Sequence, residues 1–242
     1  MSSVSVVIPA YNEQARLAAT LDAVVAYLRR KNFAFAEIVV VDDGSRDGTA
    51  ALVDRWRADH ACIRLLRNPG NRGKGYTVRH GALDAKGDWI LTTDADLSAP
   101  IEELDKLMDA AARTGAQVAI GSRALDRSLV GVHQSAFREL SGRAFNLMMR
   151  LITGLPFRDT QCGFKLFERS AARKIFSLQR LDGFSFDVED LVIARKLGIK
   201  AVEVPVVWNN VEGTKVGAAS GIASFGALIG IRWRALSGKY KL

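Results

Sequence analysis

The sequence has few cysteines. Its 242 residues include only Cys62 and Cys162, whose separation fits neither a disulfide framework nor the spacing of cysteine metal ligands. Disulfide-rich secreted folds are therefore excluded, and we expect a reducing, cytosolic environment. We also expect no signal peptide, because the first strand is predicted to begin almost at once, at Val4.

The sequence also lacks a hydrophobic run typical of a membrane span. The uncharged segment Val216–Ile231 has 16 residues, four of them glycine, whereas a spanning helix needs about 20 apolar residues. We expect a peripheral helix on the cytoplasmic face of an anionic membrane, with an ordinary core helix as the alternative. The lipid-facing side chains would be Phe225, Leu228, Ile229 and Trp233, and the phosphate-facing ones Arg232, Arg234, Lys239 and Lys241.

Acidic residues are scarce in the middle of the chain. The formal net charge is +8, and residues 113–180 carry 12 basic but only 4 acidic side chains. Such an excess predicts an anionic partner. The segment has no helix-turn-helix, zinc-finger or aromatic RNA-binding signature. We therefore expect a phosphate group or an anionic membrane surface rather than nucleic acid.

Short apolar strands alternate with helices along the first half of the chain. Strands are predicted at Val4–Ile8, Ile38–Val41, Ile63–Leu66, Trp89–Thr93, Val118–Ile120 and, later, Ala201–Trp208. Helices are predicted at about 13–31, 50–57, 77–85, 101–114 and 137–153. This pattern predicts an α/β fold with a mostly parallel central sheet and helices on both faces. We expect one domain over residues 1–242, with 210–242 as a C-terminal elaboration.

Asp94 and Asp96 stand one residue apart at the end of the apolar strand Trp89–Thr93. The period of two in a strand can turn both carboxylates toward the same side. Hard carboxylate oxygens suit Mg²⁺ or Mn²⁺, especially an ion shared with a phosphate group. The alternative is an ordinary turn and helix start, where aspartate is favoured in any case.

Three other polar loops follow predicted strands. Ile8–Glu13 follows the first strand, and Asp42 with Asp43 ends the second. The segment Asn68–Gly75 is rich in glycine and basic residues and opens a helix, which favours a diphosphate-binding loop. It matches neither the dinucleotide fingerprint nor the Walker loop, because Val78 takes the place of a glycine and Lys74 is followed by glycine.

Together these loops resemble the inverting glycosyltransferases of family 2, which have the GT-A type nucleotide-diphospho-sugar transferase fold. Longer motifs resemble the family 2 enzymes that glucosylate dolichyl phosphate and, less closely, the polyprenyl-phosphate mannose synthases. These motifs are Asn71–Gly75, Arg158–Phe167, Phe186–Glu189 and Trp208–Lys215. The resemblance covers residues 4 to about 234, and the block Arg158–Phe167 is its most specific part.

The resemblance implies a nucleotide-sugar donor, with UDP-glucose favoured over GDP-sugars, and a role for each matching residue. Asp94 and Asp96 would bind the Mg²⁺ or Mn²⁺ ion. The donor would be held by Pro9, Tyr11, Glu13, Asp42 or Asp43, Arg72, Lys74 and Asp94. The polyprenyl phosphate would be held by Arg138, Ser141, Arg158 and Lys165. Leu97 and Ser98 depart from the mannose synthases, in which a glutamine often follows the second aspartate.

Five residues are candidates for the chemistry itself. Arg123 would lie near the donor and acceptor phosphates, and Asp159 would act as a base or position the sugar. A saccharide hydroxyl as acceptor would instead require a true general base, for which Asp187, Glu189 or Asp190 is available. A non-catalytic domain that binds nucleotide sugars or nucleic acid is the alternative from another functional class.

Overall fold

Parallel strands of valine, isoleucine and leucine form the centre of the fold in the computed structural model, which describes residues 2–132, 147–209 and 219–241. The strands are β1 (Ser3–Ala10), β2 (Phe35–Asp42), β3 (Ile63–Arg67), β4 (Trp89–Thr92), β5 (Val118–Ser122), β6 (Val130–Val132), β7 (Lys165–Glu168), β8 (Ala201–Pro205) and β9 (Trp208–Asn209). The α-helices are α1 (Leu17–Arg30), α2 (Thr49–Asp59), α3 (Lys74–Asp84), α4 (Leu104–Thr114), α5 (147–153), α6 (Arg169–Leu178), α7 (Phe186–Lys196) and α8 (Ala219–Leu236). Single 3-10 turns cover Ile101–Glu103 and Arg127–Leu129.

The main sheet confirms the predicted, mostly parallel arrangement. Its strand order is β3-β2-β1-β4-β7-β5-β8, and β6 pairs separately with β9. β7 runs antiparallel to both β4 and β5, whereas the other pairings described in this sheet are parallel. The carboxyl ends of β1, β2 and β4 therefore meet at one edge, which is where ligands gather in sheets of this kind.

Helices cover both faces of the sheet, also as predicted. On one face α1 packs through Leu17, Leu21 and Val24, whose spacing of three to four residues places them on one side of the helix. α4 contributes Leu104 and Leu107 to the same core. α3, α6, α7 and α8 pack against the other face. Two cores thus hold the central sheet rigidly between them.

The second half of the chain is more regular than its sequence indicates. β7, α6 and α7 were not predicted, and the predicted strand at 201–208 divides into β8 and β9 after Pro205. α8 forms despite its glycines because Leu228, Ile231 and Ala235 pack into the core, which outweighs its weak helix propensity. Of the predicted helix 137–153, residues 137–146 lie outside the described residues.

The amino-terminal ends of β1 and β2 are joined by a buried carboxylate. Glu37 is 2% exposed and accepts hydrogen bonds from Ser5 Oγ at 2.6 Å, Lys86 N at 2.7 Å and Arg64 Nη1 at 2.9 Å. This contact lies at the end of the sheet opposite to the carboxyl edge of β1, β2 and β4. No helix within the described ranges combines the length and apolar character needed to cross a bilayer.

We expect Glu37→Ala to lower the free energy of unfolding by about 2–4 kcal/mol, because buried donors lose their acceptor. Urea denaturation would measure the change. Glu102→Ala is the matched control: its ion pair with Arg30 is exposed, so a loss within about 1 kcal/mol is expected. Equal losses in the two variants would contradict the structural role of Glu37.

Candidate active site

A cavity of about 440 Å³ opens at the carboxyl ends of β1, β2 and β4. It brings together predicted site residues from loops that lie far apart in the chain. These residues are Pro9, Tyr11, Glu13, Asp43, Lys74, Asp94 and Asp96. Of the seven other lining residues, Ala10, Asn71, Gly73 and Ala95 lie within the predicted loops, whereas Arg16, Thr77 and Phe184 were not predicted. Arg16 and Thr77 are ordinary polar residues next to motifs, whereas Phe184 precedes the motif Phe186–Glu189 by two residues and carries no signal of its own.

Asp43 holds the basic loop in place. Its carboxylate accepts hydrogen bonds from Asn68 Nδ2 at 2.7 Å and from the backbone N–H groups of Arg72 and Gly73, both at 2.9 Å. Gly73 has a φ of +98°, a conformation that favours glycine. Asp42 is not among the cavity residues and accepts a 3.2 Å bond from Ser45 N. Of the two adjacent carboxylates, Asp43 therefore faces the cavity and shapes the loop.

Asp94 is paired with the lysine of the same loop. Lys74 Nζ lies 2.6 Å from Asp94 Oδ1. Burial alone would raise the pKa of Asp94, but the charge of Lys74 and its hydrogen bond hold that pKa below its usual value. Gly163 lies directly behind the carboxylate, and a Cβ atom there would stand 2.8 Å from Asp94 Cγ. Lys74 therefore holds Asp94 on one side, and Gly163, which has no side chain, leaves room for the carboxylate on the other.

Asp96 is held by its own turn and faces an arginine. Its Oδ1 accepts hydrogen bonds from Ser98 N at 3.1 Å and Ser98 Oγ at 2.9 Å, while its Oδ2 lies 3.8 Å from Arg16 Nη1. Between them Leu97 adopts a φ of +49°, which is unusual for a residue other than glycine. Arg16 also pairs with Glu13. The second metal candidate is thus a fixed, anionic group on the cavity wall.

Asp94 and Asp96 fit a divalent cation of the hard type. Among the described residues no group of three or more His, Cys, Asp or Glu side chains is arranged to hold a metal. Mg²⁺ is commonly held by one or two carboxylates, with waters and ligand phosphates completing its coordination. Two aspartates beside a basic loop match that donor set.

Arg123 and Asp159 form a two-pronged ion pair. Arg123 donates from Nε to Asp159 Oδ2 at 2.6 Å and from Nη2 to Oδ1 at 2.9 Å, and its backbone N–H adds a bond of 3.0 Å. Although burial acts to raise the pKa of Asp159, the charge of Arg123 keeps that pKa below its usual value. Asp159 is therefore ionised, and both of its carboxylate oxygens accept hydrogen bonds from Arg123. The carboxylate positions Arg123 and is not placed to act as a base.

Lys165 and Asp187 form a second, fully buried pair. Lys165 Nζ donates to Asp187 Oδ1 and, at 2.5 Å, to the carbonyl of Cys162. Lys165 is 1% exposed. The structure thus places Lys165 inside the wall behind Asp94. The sequence predicted that its ammonium group would face an acceptor phosphate, and this prediction is wrong because the group is buried. Asp187, expected to act in the chemistry, neutralises it.

Glu189 takes a structural place rather than the catalytic one expected. It is fully buried and accepts hydrogen bonds from Tyr240 Oη at 2.6 Å and from the backbone N–H groups of Arg180 and Leu181 at 2.9 and 2.7 Å. These bonds anchor the loop that carries Phe184 to the rim of the cavity. The neighbouring Asp190 is also buried, and its burial beside Asp187 raises its pKa well above the usual range.

The remaining acceptor candidates are not assembled by the described structure. Arg158 is exposed and does not line the cavity, although its backbone N–H bonds to Glu203 at 2.9 Å. Arg138 and Ser141 lie outside the described residues. Their assignment to the acceptor phosphate stays a prediction.

We expect Gly163→Ala to destabilise the protein by about 1–3 kcal/mol, because the new methyl group overlaps the Asp94 carboxylate. The cost should shrink in an Asp94→Ala background, and a double-mutant cycle on the free energy of unfolding would measure this coupling. Gly183→Ala is the control, since a Cβ atom there meets no atom within 4 Å. An undiminished cost in the Asp94→Ala background would contradict the contact.

We expect Asp159→Asn to lower the free energy of unfolding by about 2 kcal/mol at neutral pH. Because the pKa of Asp159 is depressed in the folded state, its contribution is complete above the ordinary carboxyl pKa, about 4, and is lost as the pH falls through the folded value. The difference between wild type and variant should therefore be constant above about pH 5 and shrink in acid. Denaturation series at several pH values test this, with the exposed Asp109→Asn as control; a difference that grows in acid would refute it.

Sequence and structure comparisons agree with this geometry. The family model described as Glycosyl transferase family 2 matches residues 5–176. A dolichyl-phosphate beta-glucosyltransferase of Trichomonas vaginalis is 40% identical over 218 residues, covering 87% of this chain and 65% of that protein. The human dolichyl-phosphate beta-glucosyltransferase is 36% identical over 251 residues, covering 98% of this chain and 77% of that protein.

Two solved structures share the fold. Mannosyl-3-phosphoglycerate synthase from Rubrobacter xylanophilus superposes with a TM-score of 0.69 at 19% identity, covering 98% of this chain and 75% of that chain. Glucosyl-3-phosphoglycerate synthase from Mycobacterium tuberculosis, in complex with UDP, gives a TM-score of 0.65 at 20% identity, covering 96% and 80%. The predicted GT-A fold is thereby confirmed. By sequence and by fold, the chain is a glycosyltransferase of family 2.

Proposed function

We propose that this protein transfers glucose from UDP-glucose to a polyprenyl phosphate such as dolichyl phosphate, with inversion at the anomeric carbon and with Mg²⁺ or Mn²⁺. One observation carries the proposal: Asp94 and Asp96 face the same cavity as Lys74 of the basic loop. The names of the relatives support the glucosyl group and the acceptor. The Mycobacterium tuberculosis synthase was solved with Mn²⁺ and UDP, which supports the metal and the nucleotide.

The donor fits the cavity with its base toward β1 and its diphosphate toward Lys74. Tyr11 offers a ring on which the base stacks, beside Pro9 and Glu13. Arg72 and Lys74 supply positive charge for the diphosphate. Because Asp43 already accepts three hydrogen bonds from the basic loop and its neighbour Asn68, it serves the donor by shaping that loop, while Asp42 supports the turn that follows β2.

Asp94 and Asp96 would hold the metal ion. When bound, the ion supplies positive charge that stabilises the leaving nucleoside diphosphate. Lys74 lies within reach of the same phosphate groups. It is a cation, because the charge of Asp94 raises the pKa of Lys74 above its ordinary value although burial acts to lower it. This chain therefore contributes two anionic oxygens for the ion and a permanent charge beside them.

The acceptor requires little activation by the protein. A phosphate monoester has a second pKa near 6, so its oxygen is already a strong anion at neutral pH. That oxygen forms the new bond to the anomeric carbon as the bond from this carbon to the UDP oxygen breaks. We assign to Arg123, which Asp159 fixes and whose charge acts on Asp94, the screening of the two anions from each other, although Arg123 does not line the cavity itself. We assign Arg138, Ser141 and Arg158 to the acceptor phosphate as well.

The cavity disfavours a saccharide hydroxyl as the acceptor. Such a hydroxyl needs a general base within hydrogen-bond reach. None of the three carboxylates offered by the sequence for that task, Asp187, Glu189 and Asp190, lines the cavity. An acceptor that arrives already ionised matches these surroundings better. Because a polyprenyl phosphate resides in a bilayer, we also propose peripheral contact with the cytoplasmic face of an anionic membrane.

We expect Asp94→Asn and Asp96→Asn each to lower turnover by at least about 100-fold. Each aspartate would supply an anionic oxygen to the metal ion that stabilises the diphosphate. The assay follows labelled glucose from UDP-glucose into lipid with Mg²⁺ or Mn²⁺ and polyprenyl phosphate. Asp88→Asn is the matched control, since Asp88 pairs with Ser3 and Arg169 away from the cavity. Full activity of either cavity variant would refute the metal assignment.

The donor is tested in the same assay by exchanging UDP-glucose for other nucleotide sugars, including GDP-mannose. We expect UDP-glucose to give the fastest transfer. The absence of a glycolipid with every nucleotide sugar would overturn the proposed function, and faster transfer to a free saccharide than to polyprenyl phosphate would replace it with the alternative acceptor.

A further inference from the structure

A second cavity, of about 250 Å³, lies between α5, α7 and α8. Three of its residues are cationic, one offers a hydroxyl group and two are apolar; no acidic side chain lines it within the part of the chain that the structure describes. The lining residues are Thr153, Val192, Arg195, Lys196, Arg232 and Ala235. Its composition therefore suits an anion.

This cavity is separate from the donor site but is joined to it by one helix. α7 begins near the donor site with Asp187, which pairs with Lys165 behind Asp94, and ends at the second cavity with Arg195 and Lys196. Eight residues of α-helix correspond to about 12 Å along the axis. The two cavities share no lining residue. An anion in the second cavity would therefore not compete with the donor.

Helix-end electrostatics explains only part of the cationic cluster. Arg195 Nη1 donates to the carbonyl of Gly154, which follows α5, and basic residues at the end of α7 offset the partial negative charge of its carbonyl groups. Arg232 has no such explanation, because it precedes the last turn of α8 and yet lines the same cavity. Two helices, α7 and α8, thus bring positive charge to one cavity.

The helices around the cavity expose apolar side chains. On α8, Ile229, Trp233 and Leu236 follow the i, i+4, i+7 spacing of a single face and are 61%, 57% and 67% exposed. On α5, Leu147 and Leu151 are 58% and 76% exposed. Lys239 Nζ lies 4.3 Å from the centre of the Trp233 ring. An apolar face with tryptophan and a basic border is typical of helices that lie in a membrane interface.

The structure also corrects the face of α8 expected from its sequence. Leu228 is fully buried and packs in the core, and Arg234 turns inward to within 3.6 Å of Glu189. Leu228 is therefore unavailable to lipid. Ile229 and Trp233 are exposed, as the sequence predicted, and Leu236 completes this face with Arg232 beside it. Phe225, also expected to face lipid, lies outside the described side chains.

We propose that the second cavity binds the phosphate headgroup of an anionic membrane phospholipid while Ile229, Trp233 and Leu236 enter the bilayer interface. The proposal rests on the proposed function only in that the acceptor is a membrane lipid. Charge complementarity selects the occupant, because the cationic cavity opens beside an exposed apolar face and an anionic bilayer offers phosphate groups above hydrocarbon. α7 then connects the membrane-bound end of the protein with the catalytic end.

Co-sedimentation of the full chain with lipid vesicles tests the proposal. We expect the wild type to bind vesicles that contain phosphatidylglycerol and to bind pure phosphatidylcholine much more weakly. Arg195→Glu/Arg232→Glu should weaken binding to the anionic vesicles by at least about ten-fold. Trp233→Ser should weaken it several-fold without changing the net charge. Far-UV circular dichroism and the thermal midpoint establish that each variant is folded.

The matched control is Arg57→Glu/Arg113→Glu, which changes the net charge equally on exposed helices of the opposite face. Binding by this control should stay within about two-fold of wild type. Three results would each overturn the proposal. The first is an equal loss of binding in the control, and the second is no binding by the wild type. The third is wild-type binding by both the Arg195→Glu/Arg232→Glu and the Trp233→Ser variants. Transfer to a detergent-dispersed short-chain prenyl phosphate separates the two proposals. We expect Arg195→Glu/Arg232→Glu to retain it, whereas a wild type that binds vesicles but transfers no sugar refutes the function alone.

Discussion

The ion pair between Lys74 and Asp94 is the contact on which the rest of the site depends. Carboxylates from the loops after β1, β2 and β4 line one cavity. Like charges repel one another more strongly there than in water, because the protein surroundings are less polar. A cationic or N–H donor lies beside each of these carboxylates. Lys74 meets Asp94, Arg16 lies between Glu13 and Asp96, and the basic loop donates backbone N–H groups to Asp43. Each of these carboxylates is therefore held in place by a neighbouring donor.

The antiparallel strand β7 extends this compensation into the second half of the chain. Because β7 lies between β4 and β5, it brings Gly163 against Asp94 and buries Lys165 beside it. Asp187 then neutralises Lys165, and Arg123 pairs with Asp159 on the next strand end. The motif of Arg158–Phe167 thus owes its composition to packing and charge balance as much as to contact with a ligand.

α7 gives the molecule its long-range organisation. Its first turn supplies Asp187 to the buried pair and Glu189 to the loop that carries Phe184. Its last turn supplies Arg195 and Lys196 to the second cavity, where α8 adds Arg232. The second cavity and the cavity that Asp94 and Asp96 line are therefore connected through the two ends of one helix.

The sequence by itself determined the parallel strands, the helices on both faces of the sheet and the meeting of Glu13, Asp43, Asp94 and Asp96 at one edge. Apolar strands without alternation must be covered on both faces, and polar residues that follow parallel strands must meet at one edge. Tertiary structure alone decided what each second-half residue does. Lys165, Glu189 and Leu228 have the same chemistry whether exposed or buried, and only packing against distant segments turned them inward. For the same reason Arg16, Phe184 and Arg195 could not be assigned beforehand, since contacts with other segments place them and no short-range pattern records those contacts.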